Sequence, residues 1–328
     1  MPQNPPNHTG HSQWPWLTAV IGVLFLVITI AGLTAPYLYA EYALRHHGPL
    51  IGPPMKATPV VGRWVDDYFV VETIDENVFG IGEPRYYQGN YSYLIIGERR
   101  AVLFDAGSGN RDIVRIVRAL TSLPVTVVPS HLHFDHVGAL GRFEHTALLD
   151  DPELRARSQG DVLKLKRYEF LGFADGLDLP KIKVDEWWRA GTSVDLGGRR
   201  LAVIHTPGHT PTSLSLYDRQ RHLLFCGDFI YPGSLYVFLP GASRRAYLRT
   251  AERLVDLIDP NTRIMAAHLS DEPPVITAPR LGVDDLNALI RMLKAVDTSA
   301  VQSSGVYPRV FPVNDSMKLA TGFAWNNR

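Results

Sequence analysis

Between His131 and His136 the chain reads "HLHFDH", three histidines and an aspartate directly after the apolar run "VTVVPS". Side chains at i and i+2 of an extended segment share a face, so His131 and His133 at the strand's end point at one place. Asp135 and His136 follow as the chain turns, facing the opposite side of the same opening, where they suit a second ion. A single histidine at a strand end is an ordinary hydrogen-bonded group. Four such groups beside an apolar strand are costly to place without a partner for their charge. The chain has 1 cysteine, Cys226, which excludes an internal disulfide and a Cys-x-x-Cys metal site. Imidazole and carboxylate are left as the ligands for a bound cation. One segment cannot complete two sites, so the fold has to bring further ligands to the same edge.

Three later segments offer them. "HTPGHT" sets His209 in a turn after the strand "RLAVI", "FCGDF" leaves Asp228 past the end of another, and "IMAAH" ends a third at His268. Each stands at the carboxyl end of a predicted strand, where loops on a rigid sheet edge gather functional groups. Other short β-branched and aromatic runs, "YFVVETI", "NVFGI", "YSYLIIG", "RAVLFDAG" and "SLSLY", are separated by turn residues and predict strands. Helical spacing appears in "RDIVRIVRAL", in "RRAYLRTAERLVDLI" and near "VDDLNALIRMLKAV". Strands and helices interleave in each half, which predicts a sheet core covered by helices, with two related β-rich halves. At 328 residues and 45% hydrophobic content the chain can bury a core of that size.

The ordered set "HLHFDH", "TPGHT", "CGDF" and "AAH" resembles the metallo-β-lactamase superfamily of binuclear metallohydrolases, over roughly residues 65 to 325. The resemblance implies an α/β fold, an αββα sandwich with the metals at one edge. It implies that His131, His133 and His209 hold one metal, that Asp135, His136 and His268 hold the other, and that Asp228 bridges them. Asp105, in "LFDAG", matches an early aspartate that supports the ligands from behind. Two divalent ions are expected, zinc by default, with iron or manganese suited to the same ligands. Zinc lowers the pKa of bound water from 15.7 to about 7. The implied activity is therefore a hydrolase whose metal-bound hydroxide attacks a small ester-like substrate: a lactone, a thioester or a related carboxylic derivative. Asp135 is the candidate to orient the nucleophile or move a proton. A β-lactamase shares the same ligands. A noncatalytic, membrane-tethered metal-binding module is the alternative of another class, and the complete ligand set counts against it.

Substrate recognition is less visible. Tyr231, Tyr236 and Phe238, in "DFIYPGSLYVFLPG", suit the lining of an apolar pocket, although packing within a strand or loop explains them equally well. A tyrosine hydroxyl here suits an oxyanion, as in lactonases of the superfamily. The middle region 151–190, rich in aromatic residues such as Tyr168, Phe170, Phe173, Trp187 and Trp188, reads as helical and loop material that covers the opening or packs on the core. "GSGN", residues 107–110, reads as a helix start capped by Asn110.

The N-terminal part differs from the rest. "WLTAVIGVLFLVITIAGLTAPYLYA", Trp16 to Ala40, carries no charged side chain and is long enough for one transmembrane helix. Trp14, Trp16, Tyr37 and Tyr39 stand at its ends, where amphipathic rings favour the headgroup region. A cleaved signal peptide, with Ala40 at its end, or a buried core helix are the alternatives; residues 1–15 hold no Lys or Arg for a basic leader. The expected division is a tail over 1–15, a span over 16–40, a Pro/Gly-rich tether over 41–64 and the catalytic domain over 65–328. Arg45, Lys56 and Arg63 after the span, against no Lys or Arg before it, vote for a cytoplasmic domain. Three charges leave the export-like topology open. Lys plus Arg and Asp plus Glu are 33 each, so nucleic acid is disfavoured as a partner and a small molecule is expected. Asn7, Asn90 and Asn314 stand in Asn-x-Ser/Thr patterns too short to fix a compartment. No oligomeric state follows from these features.

Overall fold

Alternate side chains on the central strands enter different apolar clusters, and this places the layers. In strand Asn90–Ile96, Tyr91, Tyr93 and Ile95 join one cluster while Leu94 joins another. Strand Ala101–Phe104 divides likewise, Val102 and Phe104 against Ala101 and Leu103. Strand Leu223–Gly227 sends Leu223 and Phe225 to the cluster of Tyr91 and Val102, and Leu224 and Cys226 away from it. The shared cluster thus lies between two sheets, and each sheet has a second buried face outside it. The computed structural model describes residues 15–46, 49–53, 58–270 and 273–323.

The first sheet has eight strands. Arg63–Trp64, Val70–Asp75, Val78–Glu83, Asn90–Ile96 and Ala101–Phe104 run antiparallel in that order. Val125–Val128, His145–Leu149 and Glu186–Trp188 then join in parallel. The second sheet has six. Ser193–Asp195, Arg200–His205, Leu214–Asp218 and Leu223–Gly227 are antiparallel, Arg263–Ala266 lies parallel to the last of them, and Arg280–Leu281 closes the edge antiparallel.

Helix Ile113–Leu120 covers the first sheet through Ile113, Ile116 and Val117. Helices Arg244–Leu257 and Val283–Asp297 cover the second through Leu254, Leu286, Leu289 and Leu293. The order helix, sheet, sheet, helix is the αββα sandwich that the resemblance implied. Full burial of each Val, Leu or Phe in these layers contributes about 1.5–3 kcal/mol. The first helix starts later than "RDIVRIVRAL" suggested. Its cap is Asp112, which accepts from the Val114 amide at 3.0 Å, whereas Asn110 donates to Ser108 Oγ at 3.0 Å.

Two small sheets lie outside this plan. One joins Ser158–Gln159, Val162–Leu163 and Ile182–Lys183 in the middle region. The other joins Gly233–Val237, Arg309–Pro312 and Met317–Thr321. In the middle region Phe170, Phe173 and Trp188 are buried, and Trp187 and Trp188 lie on the edge strand of the first sheet.

The N-terminal helix runs from Pro15 to Arg45, past the expected end at Ala40. Ala19–Ala43 is an apolar stretch of 25 residues; its most apolar 18-residue window has mean hydropathy 2.3 and is 6% buried. At 1.5 Å per residue it measures about 37 Å, against about 30 Å for a bilayer's hydrocarbon core. Val20, Phe25 and Leu33 stand exposed on it, whereas Ala40 is buried against the domain. The tether expected over 41–64 is also different. Its first residues continue the helix, and beyond them Gly52 N donates to Arg85 O at 2.7 Å and Val61 N to Ile276 O at 2.8 Å. The described residues beyond the helix are pinned along the domain, because their backbone donors find partners there. Residues 47–48 and 54–57 of the expected tether, and the expected tail but for Pro15, lie outside the described residues.

Candidate metal centre

Every expected ligand follows the carboxyl end of a strand at one edge of the sandwich. His131 comes just after Val125–Val128, His209 after Arg200–His205, Asp228 directly after Leu223–Gly227 and His268 after Arg263–Ala266. The short helix Phe134–Val137 turns the chain so that Asp135 and His136 face back. Gly227 makes the approach of Asp228 feasible. It has φ 53°, and a Cβ there would run into the Ser130 side chain.

The donor atoms form two groups, His131, His133, His209 and Asp228 in one, Asp135, His136 and His268 in the other, each within 4.8 Å. Asp228 lies between them. Its Oδ2 is 3.6 Å from His209 Nε2 and 4.0 Å from His131 Nε2, and its Oδ1 is 3.2 Å from His136 Nε2 and 2.9 Å from His268 Nε2. Asp135 Oδ2 is 3.2 Å from His136 Nε2 and 3.6 Å from His268 Nε2.

Four of the rings are held from behind, that of His131 by Ser130 Oγ 3.0 Å from its Nδ1. His136 Nδ1 is 3.0 Å from Asp105 Oδ2, His209 Nδ1 is 3.0 Å from Tyr236 O, and His268 Nδ1 is 3.1 Å from Gln88 O. A carbonyl only accepts, so the proton of His209 and of His268 sits on Nδ1 and the lone pair of Nε2 is turned into the centre. Asp105 does the same for His136, while its Oδ1 accepts from Ser130 N at 2.6 Å.

These atoms fit a pair of cations. His131, His136 and His268 each bury an Nε2, and Asp228 an Oδ1, that makes no hydrogen bond despite the short separations, while His133 presents its Nδ1, 3.1 Å from His209 Nε2. Buried polar atoms are rarely left so, and here they converge. Burial, with His136 and His133 alongside, holds His131 well below the usual imidazole range; burial and His209 bring His133 down to about 3. Burial also would lower His136 and His268, but Asp135 and Asp228 outweigh it and raise both. Burial would raise Asp135, yet His136 and His268 draw it down to about 2. A centre that draws protons onto two imidazoles in this way is one that calls for positive charge. Cys226 takes no part: burial pushes its thiol up to about 12, and its sulfur lies in the core behind the second sheet.

Two contributors went unrecognised in the sequence. Asn90 is buried, and its Nδ2 donates to Asp135 O at 2.7 Å and to Asp135 Oδ2 at 3.2 Å. Its Asn-x-Ser pattern is too short to carry meaning, and nothing in the local sequence signals the contact. Strand Gly233–Val237 is the other, since its Tyr236 carbonyl orients His209. Tyr231, Tyr236 and Phe238 all line one cavity of about 330 Å³ that also reaches His133, Asp135, His209, Asp228 and His268. The Tyr231 ring packs on His268 at 5.1 Å, but its hydroxyl donates to Ser234 O at 2.6 Å, which turns it away from an oxyanion role.

The sequence profile of the metallo-beta-lactamase superfamily matches residues 86–268, more than half of the chain. Acyl-coenzyme A thioesterase MBLAC2 of Gallus gallus is 30% identical over 219 residues, 59% of this chain and 77% of the relative. The Homo sapiens protein of that name is 29% identical over 223 residues, with the same shares. Among solved structures, a metallo-beta-lactamase from Pontibacter korlensis superposes with TM-score 0.50 at 19% identity, over 69% of this chain and 99% of that one. A metallo-beta-lactamase family protein from Thermus thermophilus gives TM-score 0.52 at 19% identity, over 69% and 82%.

Proposed function

The chain belongs to the metallo-beta-lactamase superfamily, and from that premise we propose that it is a membrane-anchored, metal-dependent hydrolase of acyl thioesters. The observation that carries the reading is the cavity joining the histidine and aspartate groups to apolar walls, among them Tyr86, Phe134, Leu171, Tyr231 and Phe238. A polar reacting end meets the donor groups while an apolar acyl part lies along the aromatic side. The likeness to acyl-coenzyme A thioesterases agrees with that division. The fold is common to many substrates and decides none of them.

In this reading His131, His133 and His209 hold one divalent ion, Asp135, His136 and His268 the other, and Asp228 both. When bound, the ions supply Lewis acidity and an activated water; zinc suits the donors, as do iron and manganese. The residues of the chain do the rest. Asp105, Gln88 O and Tyr236 O keep the imidazole lone pairs aimed inward. Asn90 fixes the Asp135 carboxylate, which receives the proton of the attacking water. Water adds to the thioester carbonyl, the carbon–sulfur bond breaks, and a thiolate and a carboxylic acid leave, the acid losing the water's second proton to solvent. With a thiol pKa of about 8.5 the thiolate departs without an acid to protonate it, so one carboxylate suffices. Aromatic walls exclude bulk water from the acyl part. The N-terminal helix, by length and exposure, holds the domain at a membrane.

The test is release of thiol from acyl-coenzyme A by the full chain loaded with zinc, alongside a lactone and a cephalosporin. Thiol release that stops on chelation is the expected result. Stoichiometric metal with every acyl thioester left intact overturns the proposal.

A further inference from the structure

The cavity above the metal centre is walled on one side by the N-terminal helix itself. Tyr39, Ala40 and Ala43 line the same space as Asp135, Asp228 and His268. The helix is seated there by rings: Tyr39 meets Phe238 edge-on at 4.9 Å and Tyr307 at 5.9 Å, and Tyr37 meets Tyr168 of the middle region at 4.5 Å. Ala40 is 2% exposed, while the preceding turns stand bare, Phe25 at 72% and Leu38 at 64%. One helix therefore passes from an apolar, exposed surface to the wall of the reaction chamber within about a turn. A helical turn advances only about 5.4 Å, so the chamber adjoins the level at which the apolar surface ends. A volume of about 330 Å³ is at the low end of the range for small-molecule sites. Its apolar walls, Tyr39, Phe134, Leu171 and Phe238 among them, suit an acyl chain beside the metal ligands.

Resting on the thioester reading above, we propose that the substrates are long-chain acyl thioesters that reside in the bilayer. The N-terminal helix is the wall along which the chain passes from the lipid to the metals. The helix is then part of the substrate site as well as an anchor. Ala40 and Ala43 set the room left for the chain, because any larger side chain there takes up space in the chamber. Cleavage after Ala40 would strip Tyr37, Tyr39 and Ala40 from their partners and open that wall to water.

The experiment uses the full chain, metal-loaded, in phosphatidylcholine vesicles. A non-hydrolysable thioether analogue of hexadecanoyl-coenzyme A with a diazirine within the first few carbons of the acyl chain should label the peptide containing residues 39–43 on irradiation. In parallel, kcat/KM is measured from butanoyl- to hexadecanoyl-coenzyme A. It should rise with chain length, and Ala43→Leu should lower the hexadecanoyl-to-butanoyl ratio more than about tenfold, at roughly fourfold per displaced methylene. Labelling needs no variant and stands if Ala43→Leu fails to fold. Butanoyl hydrolysis with a flat length profile and no label in 39–43 overturns this inference and leaves the thioesterase reading intact. No hydrolysis of any chain length overturns the reading beneath it.

Discussion

Asp105→Asn isolates the role of one carboxylate behind the metal centre. Asp105 holds two donors at once, His136 Nδ1 at 3.0 Å through Oδ2 and Ser130 N at 2.6 Å through Oδ1. It does so at φ 65°, a left-handed conformation that Asn also tolerates, so the substitution keeps backbone and shape. An amide has one acceptor oxygen, and whichever way it turns, its NH2 faces a donor. If it faces His136, the ring proton moves to Nε2 and removes the lone pair from the centre. If it faces Ser130, a buried N–H loses its partner, at a cost of about 1–3 kcal/mol. Loss of a partner behind a metal-binding histidine typically costs about 10–100-fold in affinity, about 1.4–2.8 kcal/mol. The two magnitudes agree. Zinc titration against a chromophoric chelator should therefore show one ion bound about 10–100-fold more weakly, the ion of the Asp135, His136 and His268 group. Hydrolysis should fall at limiting zinc and recover partly at excess. Unchanged affinity for both ions would refute the assignment of Asp105 as the group that orients His136.

Asp228→Ala, by removing the carboxylate that faces both groups, should cost at least one ion by mass spectrometry and more than about a hundredfold in hydrolysis; retention of both ions contradicts a bridging role. Asn90→Ala leaves the Asp135 carbonyl without its buried donor, a loss of about 1–3 kcal/mol, and should lower kcat with little change in KM, whereas a change in KM alone would contradict the positioning role. Gly227→Ala places a Cβ against Ser130 at a positive φ, at a cost of about 1–2 kcal/mol for the backbone alone. Its Tm should fall, and Ser130→Gly in the same chain should restore part of the loss; no recovery would mean that the contact with Ser130 is not the cause. Chelation should lower the Tm of the wild-type chain as well, since ions that bind only the folded state stabilise it. Re-addition of zinc should restore it, and an unchanged Tm would argue that these donors hold no ion.

The local sequence was enough for the elements that carry the expected ligands. "HLHFDH" after an apolar strand announced a crowded, charge-demanding edge, and turn residues before His209 and Asp228 marked where strands end. The buried strands also show in the sequence, because a run such as "LLFC" is apolar on both faces only when both faces are covered. The pairing of His131 with His133, and of Asp135 with His136, was legible in the spacing; which later segment completes which group was legible only through resemblance, since no spacing relates His136 to His268 or puts Asp228 between the groups.

Tertiary structure alone decided the remainder. Asn90 at Asp135, the Tyr236 carbonyl at His209 and the Gln88 carbonyl at His268 are contacts between segments far apart in the chain, made by groups that local sequence leaves undistinguished. Strand Gly233–Val237 pairs with Met317–Thr321, a partner that no local pattern names. The N-terminal helix was legible as an apolar span because hydropathy is local. Its place in the wall of the chamber was not, because that depends on Phe238, Tyr168 and Tyr307 arriving from other parts of the fold. Composition and periodicity fix what a segment can bury; only the packed chain fixes what it is buried against.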